Sequence, residues 1–213
     1  MKLTNWSYSR YGTWKKCPAI LRFDQTSTKP REVHPAAERG TNVHKIVEDY
    51  LLAQGDLPDE FVYYRSFLDG LREQGAIPEQ QLAIDKNRNQ VEWDDPNRWW
   101  RGILDASLLL PDFAVIYDWK TGGEYADHRE QREIYAAAYH ACHPVKTVQV
   151  FHVYFDKKQI THGTFFDHEM KDLRGRWEGR IAPMLADDQL VANPGYYCRT
   201  CRHSRWNNGP CKF

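Results

Sequence analysis

Trp99-Trp-Arg-Gly-Ile-Leu-Asp-Ala-Ser-Leu-Leu-Leu110, the turn Pro111-Asp112, and Ala114-Val-Ile-Tyr-Asp-Trp-Lys120 together decide the fold. Two apolar runs flank a Pro-Asp turn signal, the pattern of a β-hairpin. Side chains alternate faces along a strand, so Asp118 and Lys120 share one face and Trp119 takes the other. Asp105 lies within the otherwise apolar run Ile103–Leu110, where an unpaired carboxylate is costly unless a cation is near. Two carboxylates and a lysine at one sheet edge can hold Mg²⁺ or Mn²⁺, hard cations that prefer oxygen ligands. Alone, Asp-x-Lys at a strand end is more often solvated charge than a site.

Outward from the hairpin, Gln81–Asp85 and the stretch around Val91–Trp93 read as strands. So do 147–156 and 159–166, on either side of Lys157-Lys158. Helical spacing is clear in 35–54, where Val43, Ile46, Val47, Tyr50 and Leu51 recur on one side. Residues 59–74 read as a second helix closed by Gly75, 127–142 as a third and 168–187 as a fourth. A short helical segment is expected around Cys17, over 7–23. Strands alternating with helices predict an α/β fold, a mixed central sheet flanked by helices.

The 213 residues, 41% hydrophobic and 14% aromatic, suffice for a real core and argue against disorder. One domain is expected over 1–213: a mainly helical part to 75, a core over 80–187 and a Cys-rich tail over 188–213. Twenty-nine basic and 29 acidic residues leave no net charge. That excludes a binder driven by bulk charge, but not an acidic site beside a basic groove. No run has the roughly 20 apolar residues of a membrane span. The N-terminus lacks a signal-peptide core, so a cytoplasmic location and no membrane partner are expected. No GxxxxGK[ST] loop is present, which excludes a built-in ATPase motor. Five cysteines without a secretion signal favour metal or cluster ligation over disulfides.

The ordered series Gly102-Ile-Leu-Asp105, Asp118-Trp-Lys120 and Gln131-Arg-Glu-Ile-Tyr135 resembles the GxxD, (D/E)xK and QxxxY motifs of the RecB-like branch of the PD-(D/E)XK nuclease superfamily. Gly40-Thr-Asn-Val-His44 resembles that family's GTxxH helix. Ser7-Tyr-Ser9 followed by Cys17-Pro18 resembles the opening of its cluster-bearing members, the CRISPR-associated and AddB-type exonucleases. The matches run from residue 7 to residue 211. Two departures stand out: Leu104 replaces the proline before Asp105, and Asp118 stands where the CRISPR-associated relatives usually carry Glu. Both remain compatible with carboxylate ligation.

The resemblance implies a restriction-endonuclease-like core and a role for each matched residue. His44, Asp105, Asp118 and the Trp119 backbone carbonyl would be ligands of Mg²⁺ or Mn²⁺. Lys120 would be the catalytic lysine, with His44, Asp105 and Asp118 completing the catalytic set. Gln131 and Tyr135, one helical turn apart, would orient the site or touch DNA, and Glu48 would support His44. Cys17, Cys198, Cys201 and Cys211 resemble the iron–sulfur staple of such nucleases, which implies a [4Fe–4S] cluster. Zn²⁺ is the alternative, since Cys₄ sites also suit it and His203 could replace one cysteine. Cys142 has no partner at ligand spacing and reads as structural.

Arg10, Lys15, Lys16, Arg199, Arg202 and Arg205 would form one basic surface if such a cluster joins the termini. Trp99 and Trp100 could stack on single-stranded bases. The implied activity is a DNA exonuclease or end-processing nuclease in recombination, repair or spacer processing, with phage or bacterial roles both fitting. DNA, single-stranded or at duplex ends, would be the partner, with a recombination protein or a homo-oligomer beside it. The alternatives are a structure-specific endonuclease with the same chemistry and a non-catalytic DNA-binding scaffold. Intact His44, Asp105, Asp118 and Lys120 speak against the scaffold.

Overall fold

The structure, a computed structural model, describes residues 2–27, 35–125 and 127–213. The chain divides into two compact units, one of 34–177 and one of 1–33 with 178–213.

The first unit is built on one mixed sheet: β1 (Ile77–Asp85), β2 (Arg98–Leu109), β3 (Phe113–Lys120), β4 (Thr147–Tyr154) and β5 (Gln159–Phe166), in that spatial order. β1, β2 and β3 pair antiparallel, as do β4 and β5, but β3 and β4 run parallel. A parallel step needs a crossover, and helix α5 (Asp127–Cys142) supplies it. The hairpin read from the sequence is therefore present. The β4–β5 turn closes on Lys158, whose φ is 51°.

The two faces of the sheet bury different partners. Trp119 and Ala106 on one face, with Val153 and Phe155, join a core containing Val43, Val47, Tyr50 and Leu51 of α3 (Pro35–Leu51) and Leu68 and Leu71 of α4 (Arg65–Glu73). The other face meets α5, which buries Gln131, Arg132 and all of 134–140. The expected helix over 59–74 begins as a 3-10 turn, Asp59–Tyr64, before α4. The strand expected around Val91–Trp93 is not formed. Gln90 makes a single bridge to Ile84, and the chain turns through Asp95 instead, with Arg98 N–H bonded to the Asp95 carbonyl at 3.1 Å. Trp100 is fully buried, so it cannot serve as a stacking platform for bases.

The second unit holds α1 (Tyr8–Lys16) and α2 (Pro18–Thr26) with the Cys-rich tail; the boundary between units falls inside α6 (Asp167–Ala186). The single helical segment expected over 7–23 is thus two helices. Ser7 caps α1 through the Arg10 N–H at 3.2 Å. Pro18 occupies the first turn of α2, where its missing N–H costs nothing. It also forces the residue before it out of helical geometry, and Cys17 is accordingly extended, at φ −163°. Among the described residues, no helix is long and apolar enough to cross a membrane.

Candidate metal centre

The β2–β3 ladder runs from Leu109 opposite Ala114 to Ala106 opposite Tyr117. The ladder stops there, one residue short of Asp105 on β2 and of Asp118 on β3. Here Asp105 Oδ2 accepts the Trp119 N–H at 2.6 Å, so a carboxylate takes over a bond the ladder would otherwise make. Asp105 is 8% exposed and Asp118 2%, deep enough that each must be compensated.

His44 supplies part of that compensation for Asp105. The neighbouring Val43 and Val47 anchor the buried stripe of α3, which leaves His44 at its rim. Nδ1 lies 3.3 Å from Asp105 Oδ1 and Nε2 lies 2.8 Å from the Trp119 carbonyl oxygen. Both neighbours are acceptors, which suits an imidazole donating from both nitrogens. Burial alone would lower the His44 pKa, but the hydrogen bond and charge of Asp105, then Asp118 and the Trp119 carbonyl, raise it to about 9. Burial, reinforced by Asp118, pushes Asp105 upward as well. The pair therefore keeps a proton well beyond the ordinary imidazole range.

Asp118 is compensated from α5 and from its own strand. Lys120 Nζ lies 2.5 Å from Asp118 Oδ2 and donates to Gln131 Oε1 at 3.0 Å. Gln131 Nε2 in turn donates to Asp118 Oδ1 and to the Tyr135 hydroxyl, both at 2.9 Å. Burial works against the Lys120 charge, yet Asp118 outweighs it and raises the pKa. Lys120 is thus held as a cation. Behind it, His152 on β4 is paired with Asp118 in the parallel register and is fully buried. Burial, aided by the Lys120 and Arg132 charges, outweighs the opposing pull of Asp118 and pushes His152 down to about 3.

One residue was missed in the sequence. Glu79 offers a carboxylate oxygen that, with one atom each of His44 and Asp105, forms a trio lying within 4.8 Å of one another. Glu79 adopts φ 46° inside β1, and burial followed by the Asp105 charge raises its pKa. No spacing signals it, because its placement depends on a left-handed residue within a strand. Glu48 lines the same open cleft as His44 and Glu79, and pairs with Lys45 at 3.2 Å. Imidazole nitrogen and carboxylate oxygens at these separations suit a hard divalent cation.

The cysteines gather in the other unit. Cys17, Cys198, Cys201 and Cys211 all line one small cavity. Asn193 N–H points to Cys17 Sγ and Gly195 N–H to Cys198 Sγ, each at 3.3 Å. His203 also lines the cavity, but its Nε2 is taken by Asp24 at 2.6 Å. Arg202 is paired with the same Asp24, which removes it from the free basic surface expected there. Cys142 lies on α5, its thiol pushed up to about 11 by burial and therefore inert.

Among solved structures the chain is similar to the crystal structure of SSO0001, at 13% identity and a TM-score of 0.39, over 94% of this chain and 84% of that one. A likeness at that score is too weak to carry an assignment. Comparison with curated proteins finds no match. The family model of the PD-(D/E)XK nuclease superfamily, by contrast, matches residues 5–206 and so takes in the hairpin, α3 and α5 alike. That span holds the whole mixed sheet with its β2–β3 hairpin, and the chain belongs to the PD-(D/E)XK nuclease superfamily.

Proposed function

We propose that this nuclease hydrolyses phosphodiester bonds in DNA with Mg²⁺ or Mn²⁺, acting at ends as an exonuclease or end-processing enzyme of the RecB-like branch. The observation that carries this is the convergence of His44, Asp105 and the Trp119 carbonyl on one side, and Asp118, Lys120 and Gln131 on the other. His44, Asp105, Asp118 and the Trp119 carbonyl, joined by Glu79, would hold the cation. When bound, such a cation lowers the pKa of a water and offsets charge on the phosphate. Lys120, held protonated, donates to the phosphate oxygens as charge builds there and is not the base. Gln131 fixes Lys120 and Asp118 together, and Tyr135 fixes Gln131. Such an activity would serve recombination, repair or spacer processing.

The test is digestion of end-labelled linear and of circular DNA, single- and double-stranded, with Mg²⁺ and with Mn²⁺, by wild type and Lys120→Ala. Loss of linear substrate by wild type alone supports the proposal. Cutting of circles replaces it with the endonuclease reading. Intact DNA in every lane leaves the scaffold.

The four thiols are proposed to hold a [4Fe–4S] cluster. Tetrahedral zinc with Zn–S bonds of about 2.3 Å needs sulfurs about 3.8 Å apart. All four thiols line one cavity, and that common lining is what supports a four-thiolate group. Iron and acid-labile sulfide in anaerobically purified protein decide between the two.

A further inference from the structure

His152 is a fully buried histidine that the reading above does not use. It lies on β4 beside Asp118, with Nε2 3.8 Å from Asp118 Oδ2. That nitrogen has no hydrogen-bond partner, and neither has Asp118 Oδ2 beyond its ion pair with Lys120. The other ring nitrogen defines the tautomer. Arg132 Nη1 lies 3.2 Å from His152 Nδ1 and donates to Thr161 Oγ1 at 2.9 Å. A guanidinium has only donors, so Nδ1 accepts and the ring hydrogen sits on Nε2, facing the carboxylate.

We propose that His152 is a positioning residue for Asp118: a neutral Nε2–H donor, oriented by Arg132, that holds the carboxylate in place for the site cation. The proposal rests on the metal-dependent reading above. At 3.8 Å the interaction is charge–dipole rather than a formed hydrogen bond. Its value lies in neutrality: a charged donor here would add a third positive group beside Lys120 and Arg132 and repel the divalent cation. Partners of this kind behind a ligand change metal affinity by about 10–100-fold when removed.

The experiment measures Mn²⁺ binding by calorimetry and electron paramagnetic resonance, with no DNA present, in wild type, His152→Phe, His152→Gln and Asp118→Asn. Glutamine can place an amide donor near the Nε2 position, so it should stay within about threefold of wild type, while phenylalanine weakens binding about tenfold. ¹⁵N-detected imidazole spectra of wild type should show the Nε2–H tautomer, and its resonance should move on addition of Mg²⁺. An Nδ1–H tautomer, or unchanged Mn²⁺ affinity in folded His152→Phe, overturns the proposal. The tautomer measurement stands even where phenylalanine impairs folding. Wild-type affinity in Asp118→Asn is a different failure: it removes Asp118 from the ligand set and takes the metal-dependent reading down with it.

Discussion

Glu79 stands opposite Asp105 at a break in the β1–β2 ladder. Pro78 pairs with Ala106 and Gln80 with Leu104, but the pair between them is absent, and Glu79 takes φ 46° there. A left-handed conformation costs a residue other than glycine about 1–2 kcal/mol. Strain of this kind persists where the surroundings impose it and clusters at functional sites. Glu79→Gly should therefore raise stability in EDTA by about 1 kcal/mol, or roughly 2–4 °C in Tm for a chain of this size. Both Glu79→Gly and Glu79→Gln should lose most of the Mn²⁺-dependent gain in Tm that wild type shows. Thermal melts with and without Mn²⁺ read both effects, and an undiminished Mn²⁺ gain in Glu79→Gln excludes Glu79 as a ligand.

The His44–Asp105 pair makes cation binding pH-dependent. A histidine must be deprotonated to ligate a metal, and Asp105 raises the His44 pKa to about 9. Mn²⁺ affinity should therefore rise steadily from pH 7 towards pH 9, with proton release visible as a buffer-dependent heat in calorimetry. In EDTA the effect on the fold has the opposite sign. A pKa raised from 6.5 to about 9 contributes stability in full below about pH 6.5, and that contribution disappears as pH passes about 9. His44→Ala should flatten both profiles, and a wild-type affinity flat across this range would contradict the argument.

Lys120 and Gln131 separate binding from turnover. Lys120 neutralises Asp118 and is itself held by Gln131. Lys120→Ala removes a charge needed as the phosphate becomes more negative, so turnover should fall by about 10²–10³-fold. Mn²⁺ affinity should hold or improve, because a competing cation has left Asp118. Gln131→Leu should lower turnover less, since it frees Lys120 and Asp118 without removing either. Single-turnover cleavage alongside Mn²⁺ titration tests the split; a matched loss of affinity and rate in Lys120→Ala would place Lys120 in cation binding instead.

What the sequence discloses about this site divides along physical lines. The hairpin, α5 and the partnership of Asp118 with Lys120 follow from alternation and helical spacing, which depend on near neighbours along the chain. Glu79 and His152 do not. In sequence Glu79 is one acid after a proline, and its importance comes from a backbone angle and a cross-strand register. His152 sits in the apolar run Thr147–Tyr154, where a lone histidine reads as core; its relation to Asp118 exists only once β3 and β4 lie parallel. The expected strand near Val91 had the right residues, but the turn through Asp95 bends the chain away from a continued ladder.

The cysteine-lined cavity depends on one glycine. A Cβ on Gly209 would lie 2.2 Å from the backbone carbonyl carbon of His203 and 2.5 Å from its Cα. Backbone cannot yield as a flexible side chain can. The close approach exists because Gly209 N–H bonds the Ser204 carbonyl at 2.8 Å while Cys211 N–H bonds the His203 carbonyl at 2.8 Å. Those bonds bring Cys211 back beside Ser204, and so into the cavity with Cys17, Cys198 and Cys201. Gly209→Ala must open that loop and move Cys211 outward, with a cost of several kcal/mol typical of backbone strain. Purified anaerobically, it should carry much less iron and sulfide than wild type and resemble Cys211→Ser. The candidate cation ligands named above, His44, Glu79, Asp105 and Asp118, all belong to the other unit, so Mn²⁺ affinity in the same variant should stay within about twofold of wild type. Full iron content in Gly209→Ala would show that the fourth thiol is not needed where this loop puts it.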